Sequence, residues 1–292
     1  MIGRRQLYEW CRIPCRELEH HPGLKIPFRL VQDSETMGLL MARELADAIR
    51  AAGGETFRAI IPCGPSCWYR PFTERINRER LSLRRFVVFH MDECLDWQAR
   101  ELPRSHPYSF RGFMERNFYD PVERELAVPE QNRRWPRADN VEELAAEVRE
   151  APVQLTYGGW GQDGHVAYNQ ARRQPYSRLG LEELRASTVR VQENNWDTIL
   201  ALAQRTFGTA WQFVPPMSVT LGLKECLAAR KVRLFSDTGA WKQTALRVAL
   251  FSEPDPEYPM TLLSEHPDAL LTATVETASH PISLHPEWDL GL

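Results

Sequence analysis

Two short segments carry the side chains best suited to moving protons. One is His90-Met91-Asp92-Glu93, an acidic pair that follows the apolar run Phe86 to Phe89. The other is Asp163-Gly164-His165, which closes a glycine-rich stretch beginning at Gly158. Carboxylates and imidazoles serve as general acids and bases once their surroundings bring them near the working pH. With a single glycine between them, Asp163 can orient the His165 ring or share its proton. Glycine next to Asp163 also lets the backbone turn sharply and approach a ligand closely. Alone, the Asp163-Gly164-His165 segment reads as no more than a helix cap or a closed turn. Two acidic clusters converging at neighbouring strand ends point instead to an acid–base centre.

Strands are needed to bring them there. Phe86-Val-Val-Phe89 and Val153 to Tyr157 read as buried strands, each ending where a reactive segment starts. Phe57 to Ile61 is a third, followed by the loop Pro62 to Ser66. Lys25 to Val31, Ser218 to Leu221, Val232 to Phe235 and Leu270 to Val275 complete the set. Helices alternate with them. Ser34 caps one, its apolar positions Met37, Leu40, Met41, Leu45 and Ile49 recur at helical spacing, and Gly53-Gly54 ends it. Further helices are expected after Ser66, through Phe113 and Phe118, from a capping box at Asn140 and Glu143, and over Trp241 to Leu250. A long polar loop is expected from His90 to Pro107. This alternation predicts a three-layer α/β/α sandwich around a mainly parallel, Rossmann-like sheet, with ligands collecting outside the strands' carboxyl ends. Residues 1–24 form a helical extension, interrupted by Pro14, before a single domain over 25–292; the tail from Ser279 is expected on the surface.

The motifs resemble those of the glucosamine-6-phosphate deaminase/isomerase family, over about residues 25–275. Phe89-His-Met-Asp92-Glu93, Ser105-His-Pro-Tyr-Ser109-Phe and Phe113-Met-Glu-Arg-Asn117-Phe carry the first part of the likeness. Gly158-Gly-Trp-Gly-Gln-Asp163-Gly-His165-Val-Ala-Tyr-Asn169 is similar to that family's second signature. The related 6-phosphogluconolactonases share the Asp-Gly-His turn but usually lack Met-Asp-Glu. The resemblance implies that His165, oriented by Asp163, opens a pyranose ring. Asp92 then carries a proton between C1 and C2, and water replaces departing ammonia. It implies catalytic roles for Asp92, Asp163, His165 and the Gln170 position. Substrate contacts are implied at Gly64, Ser66, Glu93, Gly164, Asn169, Arg190 and Lys242, with no metal or organic cofactor.

Three positions depart from the family pattern. Gln170 stands where the family carries a glutamate that supports the histidine; an amide can hydrogen-bond an imidazole but cannot stabilise imidazolium by charge. Gly64-Pro65-Ser66-Cys67 replaces a Gly-Gly-Thr-Pro-like phosphate turn, and Pro65 removes one backbone N–H from an anion-binding nest. Counting forward without gaps from Val189-Arg190-Val191 places Asn195 where the family has a phosphate-binding arginine. Arg172, Arg173 and Arg178 either supply replacement charge from a lid or are ordinary solvated surface charge. The leading expectation is therefore an aldose–ketose isomerase, with deamination if the sugar bears a 2-amino group. The alternatives are isomerisation or lactone hydrolysis on a different or non-phosphorylated sugar, and a sugar-binding regulatory protein that has lost turnover.

The whole composition fits this class. The 292-residue chain is 43% hydrophobic and 26% charged, with a net charge of −3, which leaves no basic footprint for nucleic acid or anionic membrane. No stretch has the roughly 18 apolar residues that span a bilayer, and the N-terminus lacks the apolar core of a signal peptide. A cytoplasmic protein with a small-molecule partner, possibly as a homo-oligomer, is expected. Six cysteines then read as reduced thiols. The C-x-x-x-C pairs Cys11/Cys15 and Cys63/Cys67 can be read as zinc ligands, but structural zinc sites favour tighter knuckles, so packing is the stronger reading.

Overall fold

The computed structural model describes residues 2–172, 176 and 178–292. Among the described residues, ten strands form two sheets: β1 (Phe28–Val31), β2 (Phe57–Ile61), β3 (Phe86–His90), β4 (Asp92–Leu95), β5 (Arg133–Arg134), β6 (Leu155–Gly158), β7 (Arg190–Glu193), β8 (Met217–Thr220), β9 (Lys231–Ser236) and β10 (Ala269–Thr274). Seven lie in one sheet, ordered β1-β10-β9-β6-β2-β3-β5, with every pairing parallel. Parallel strands must be buried on both faces, and side-chain alternation shows how this is met. Ala59 and Ile61 of β2, with Phe86 and Val88 of β3, pack under the helices Ser34–Ala51 and Tyr69–Glu79. Ile60, Val87 and Phe89 face the opposite way, onto Leu144, Ala145 and Val148 of the helix Val141–Glu150. Val232, Leu234, Leu271 and Ala273 continue that second face beneath the helix Gln243–Phe251. The α/β/α sandwich is therefore present.

The other three strands form a separate antiparallel sheet, β4-β8-β7. This is the main departure from expectation. The run at Ser218 is a strand, but not of the parallel sheet, and Asp92 starts a strand instead of entering a long polar loop. Met91 is the pivot. Its N–H donates to Ile61 O of β2 at 3.0 Å, and its carbonyl accepts from Leu221 N just beyond β8 at 2.9 Å. Both its peptide groups are satisfied while the chain crosses from one sheet to the other.

Smaller corrections follow from local hydrogen bonding. Asp33, not Ser34, caps the long helix by accepting from Thr36 N; Ser34 is inside the first turn, and its hydroxyl donates to Asp237 at 2.6 Å. Asn140 precedes its helix without a side-chain cap, because its amide is bonded to Arg137 N and Trp135 O. Lys242 ends a short 3-10 turn, Ala240–Lys242, ahead of its helix.

The N-terminal segment lies against the second face. Leu18 and Cys11 are buried, Trp10 stacks on Phe251 at 6.4 Å, and buried Arg247 donates to the carbonyls of Ile13 and Ala278. From Ser279 the tail runs largely over the surface, with His280 buried within it and Arg4 donating to Leu290 O. All six cysteines are free. Among the described residues, no three His, Cys, Asp or Glu side chains cluster to hold a metal ion. No helix among the described residues is long and apolar enough to cross a membrane.

Candidate active site

Four neighbouring strands, β9, β6, β2 and β3, open their carboxyl ends onto one cavity of about 440 Å³. The order of strands reverses in sequence between β6 and β2, which is where open α/β sheets bind ligands. β2 supplies Pro62 to Ser66, β3 supplies Met91 and Asp92, β6 supplies Gly159, Trp160 and His165, and β9 supplies Asp237, Thr238 and Lys242. A side chamber of about 110 Å³ adjoins it and shares His165, Arg205 and Lys242. Two larger concavities lie elsewhere. One, of about 710 Å³, is at the amino ends of β2, β6 and β9, and one of about 740 Å³ flanks β5. Neither contains the strand-end acid–base residues.

Asp92 sits at the junction of the sheets, opposite Thr220 in the β4–β8 register. Burial, reinforced by the charge of Glu93 and eased by His165, pushes its carboxyl up to about 7. The Asp163-Gly164-His165 turn is built by backbone bonds. Gly161 N donates to His165 O and Gly164 N to Gly161 O, both at 3.0 Å, while Gly164 takes a φ of +74°. A Cβ on Gly161 would overlap the His165 ring, so glycine is required there to seat the imidazole. His165 Nδ1 lies 2.6 Å from Asp163 Oδ1, a close contact without the alignment of a hydrogen bond. Burial works to raise the Asp163 carboxyl, but the neighbouring His165 outweighs it and holds the group below the ordinary range. His165 also stacks on Tyr168 at 5.8 Å, leaving its outer face to the cavity.

The second sheet supports this turn from behind. Tyr168 N donates to Thr220 Oγ1, Gln192 donates to Tyr168 O, and Asn169 Nδ2 donates to Val166 O and Leu221 O. Several residues expected to touch substrate are used in such support and do not line the cavity. Asn169 is fully buried, and its carbonyl accepts from Arg190, which is thereby turned inward to the framework. Glu93 accepts from the backbone N–H groups of Cys94, Phe110 and Arg111 and holds the start of the helix Phe110–Met114. Burial pushes its carboxyl up to about 7, against the pull of these donors. Gln170 does not contact His165: its amide donates to Thr198 at 2.5 Å and accepts from Asn195 N at 3.0 Å. Gly164 acts through its turn, behind the cavity wall.

Gly64, Ser66 and Lys242 do line the cavity. Burial, with Arg205 beside it, brings the Lys242 ammonium down to about 8, and Asp237 partly opposes this. Arg205 was not anticipated. It stands near the end of the helix Trp196–Thr206, its guanidinium 4.7 Å from the Trp241 ring centroid, and no carboxylate among the described residues pairs with it. Asn195 instead precedes that helix and donates to Ala171 O. A gapless count from Arg190 reaches Asn195, whereas the cation that faces the cavity, Arg205, stands ten positions further along on the helix Trp196–Thr206. Arg172 and Arg178 are exposed and do not line the cavity; Arg173 lies outside the described residues. Aromatic walls were also missed: Tyr108, Phe110, Phe113, Trp160 and Tyr168 face the same space. Cys63 lines it as well, with its thiol pushed well up by burial and by Asp92 and Glu93, which argues against a nucleophile.

No family model matches the chain. Among solved structures, it is similar to a monomeric glucosamine-6-phosphate deaminase described as a missing link of the NagB superfamily, with a TM-score of 0.73 and 20% identity, over 86% of this chain and 98% of that one. It is also similar to the 6-phosphogluconolactonase from Trypanosoma cruzi (TM-score 0.59, 17% identity, 89% of this chain and 98% of that one). A third is the 6-phosphogluconolactonase from Thermotoga maritima (TM-score 0.58, 16% identity, 85% and 98%). At these identities the likeness establishes a shared fold.

Proposed function

We propose that the chain is an enzyme acting on a sugar phosphate, and that its reaction is aldose–ketose isomerisation, with release of ammonia when the sugar bears a 2-amino group. One observation carries the reading: Asp92 and His165, the latter backed by buried Asp163, face one cavity whose wall also presents Lys242 and Arg205. The cations suit an anionic group on the substrate, and the acid–base groups suit proton transfer on its carbonyl end. His165, held by Asp163, takes the anomeric hydroxyl proton as the ring C–O bond breaks and the ring oxygen is protonated. Asp92, with its carboxyl near 7, removes the C2 proton and returns it to C1 through an enediol or enolamine. From the enolamine, protonation at C1 leaves a ketimine, which water attacks to expel ammonia. Supporting this reading are the placement of all three groups at strand ends and the fold shared with a deaminase.

The test is purified protein on a panel of 2-amino and 2-hydroxy sugars, each with and without a 6-phosphate, with ketose and ammonia measured separately. Turnover restricted to phosphorylated aldoses is the expected result. A lactone-hydrolysing reading has one observation in its favour, since the His165–Asp163 pair can activate water without Asp92. Lactonase activity that survives Asp92→Asn, with no isomerisation by the parent protein, would replace the first reading with the second.

A further inference from the structure

Asp237 is a cavity-lining carboxylate for which proton transfer has no use. It follows the carboxyl end of β9 and lies on the wall shared with Ser66, Thr238 and Lys242. Its electrostatic neighbours place it at the cation end: it acts on Lys242 and Cys67, whereas the groups acting on Asp92 are Glu93 and His165. The carboxylate is also aimed. Ser34, in the first turn of the long helix Ser34–Ala51, donates to Oδ2 at 2.6 Å, and Asp33 rather than Ser34 is that helix's cap. Ser34 is thereby left to fix a side chain of another element. A carboxylate so placed repels a phosphate dianion and offsets part of the charge of Lys242 and Arg205. An anion site optimised for charge alone would not contain it. A carboxylate is, however, an acceptor-only group, and the hydroxyls beside a sugar's phosphate-bearing carbon are donors that need such a partner.

We propose that Asp237 is a specificity-determining residue that accepts hydrogen bonds from the substrate hydroxyls nearest its anionic group, so that the site selects a polyhydroxylated sugar phosphate over other phosphate monoesters. This deepens the sugar-phosphate reading above and rests on it. A simple counter-ion for Lys242 would behave differently, because neutralising it would alter the affinity of every phosphate by the same factor.

The experiment uses open-chain alditol 6-phosphates and inorganic phosphate as probes, with dissociation constants measured by calorimetry on the parent protein, Asp237→Asn and Ser34→Ala. No turnover is required, so failure of the proposed reaction leaves this test intact. For Asp237→Asn, inorganic phosphate should bind a few-fold more tightly while glucitol 6-phosphate weakens about tenfold, the scale of a lost charged hydrogen bond. The preference between glucitol and galactitol 6-phosphates should shrink in the same variant. Ser34→Ala keeps the charge but releases the carboxylate, so it should weaken the alditol phosphates and leave inorganic phosphate unchanged. With a substrate that turns over, KM should rise in Asp237→Asn with kcat within about threefold, because Asp92 lies at the other end. Equal changes for inorganic phosphate and both alditol phosphates, or no change in any of them, overturn the proposal. Should Asp237→Asn fail to fold, Ser34→Ala decides it by the same ratio.

Discussion

The two ends of the cavity are built by different means. Asp92, Asp163 and His165, the groups proposed to transfer protons, are fixed by backbone: Met91 bonds to both sheets, and the Gly161–His165 turn closes on itself. At the anion end, Lys242 and Arg205 project from a 3-10 turn and the last turn of a helix. Trp241, the ring facing Arg205, is itself partly exposed. The first end is rigid and contiguous with sheet strands. The second is assembled from long side chains on elements that insertions can move. Chemistry that needs atoms held to a fraction of an ångström belongs on the first kind of scaffold, whereas charge recognition tolerates the second.

Perturbing each end separately tests this division. The largest effect is expected from Asp92→Asn, which should lower kcat by about 10²–10⁴-fold while the dissociation constant of an alditol phosphate stays within about threefold. Loss of binding instead would show the ends to be one unit. Next, Gly161→Ala should displace the His165 ring and cost about 10²-fold in kcat, the scale of a small misplacement of a reacting group. Circular dichroism should remain unchanged, and the variant's crystal structure should show the ring moved. At the anion end, Arg205→Gln should raise KM for a phosphorylated sugar by about tenfold or more with a smaller change in kcat, since it removes a charged hydrogen-bond donor. Unphosphorylated sugars should be indifferent to that change.

The pH profile brings the two ends together. Asp92 must be ionised to take a proton, so kcat/KM should rise through about pH 7. Lys242 must be charged to hold an anion, so the profile should fall above about pH 8. Lys242→Arg should move the alkaline limb up and leave the acid limb in place; a shift of both would contradict independent ends. The smallest expected effect is on stability. The folded Asp92 carboxyl, at about 7, lies above its ordinary value of 3.8. Folding therefore favours the protonated form, and this group costs stability increasingly as pH rises from about 4 to 7. Asp92→Asn should accordingly match the parent at pH 4 and exceed it by up to about 4 kcal/mol at pH 8, as read by urea denaturation. A variant less stable than its parent at pH 8 would mean that Asp92 is held by contacts rather than merely tolerated.

How much was legible depended on how local the cause was. The buried runs of β2, β3, β6 and β9 read correctly because a strand buried on both faces leaves a continuous apolar signature. Their carboxyl-end loops then located Asp92, His165, Ser66 and Lys242 on one cavity. Ser218 to Thr220 was legible as a strand but not as a member of a second sheet, because pairing partners are chosen by distant chain. Glu93, Asn169, Gln170 and Arg190 sit in chemically suggestive motifs, yet their polar groups are consumed by nearby backbone and side chains. A motif records residue types, and the direction of a side chain is settled by what packs around it.

The sequence by itself determined the layered α/β sandwich and the strand-end segments that bring Asp92 and His165 to one cavity, since both follow from periodicity and from short segments whose spacing is their geometry. Only the tertiary structure decided which cations share the cavity, that Arg205 rather than Asn195 faces it, and that Asp237 stands among them. Arg205 stands 32 positions before Asp237 and 37 before Lys242, on a separate helix. Their meeting is set by packing of separate elements, a property that no local spacing encodes.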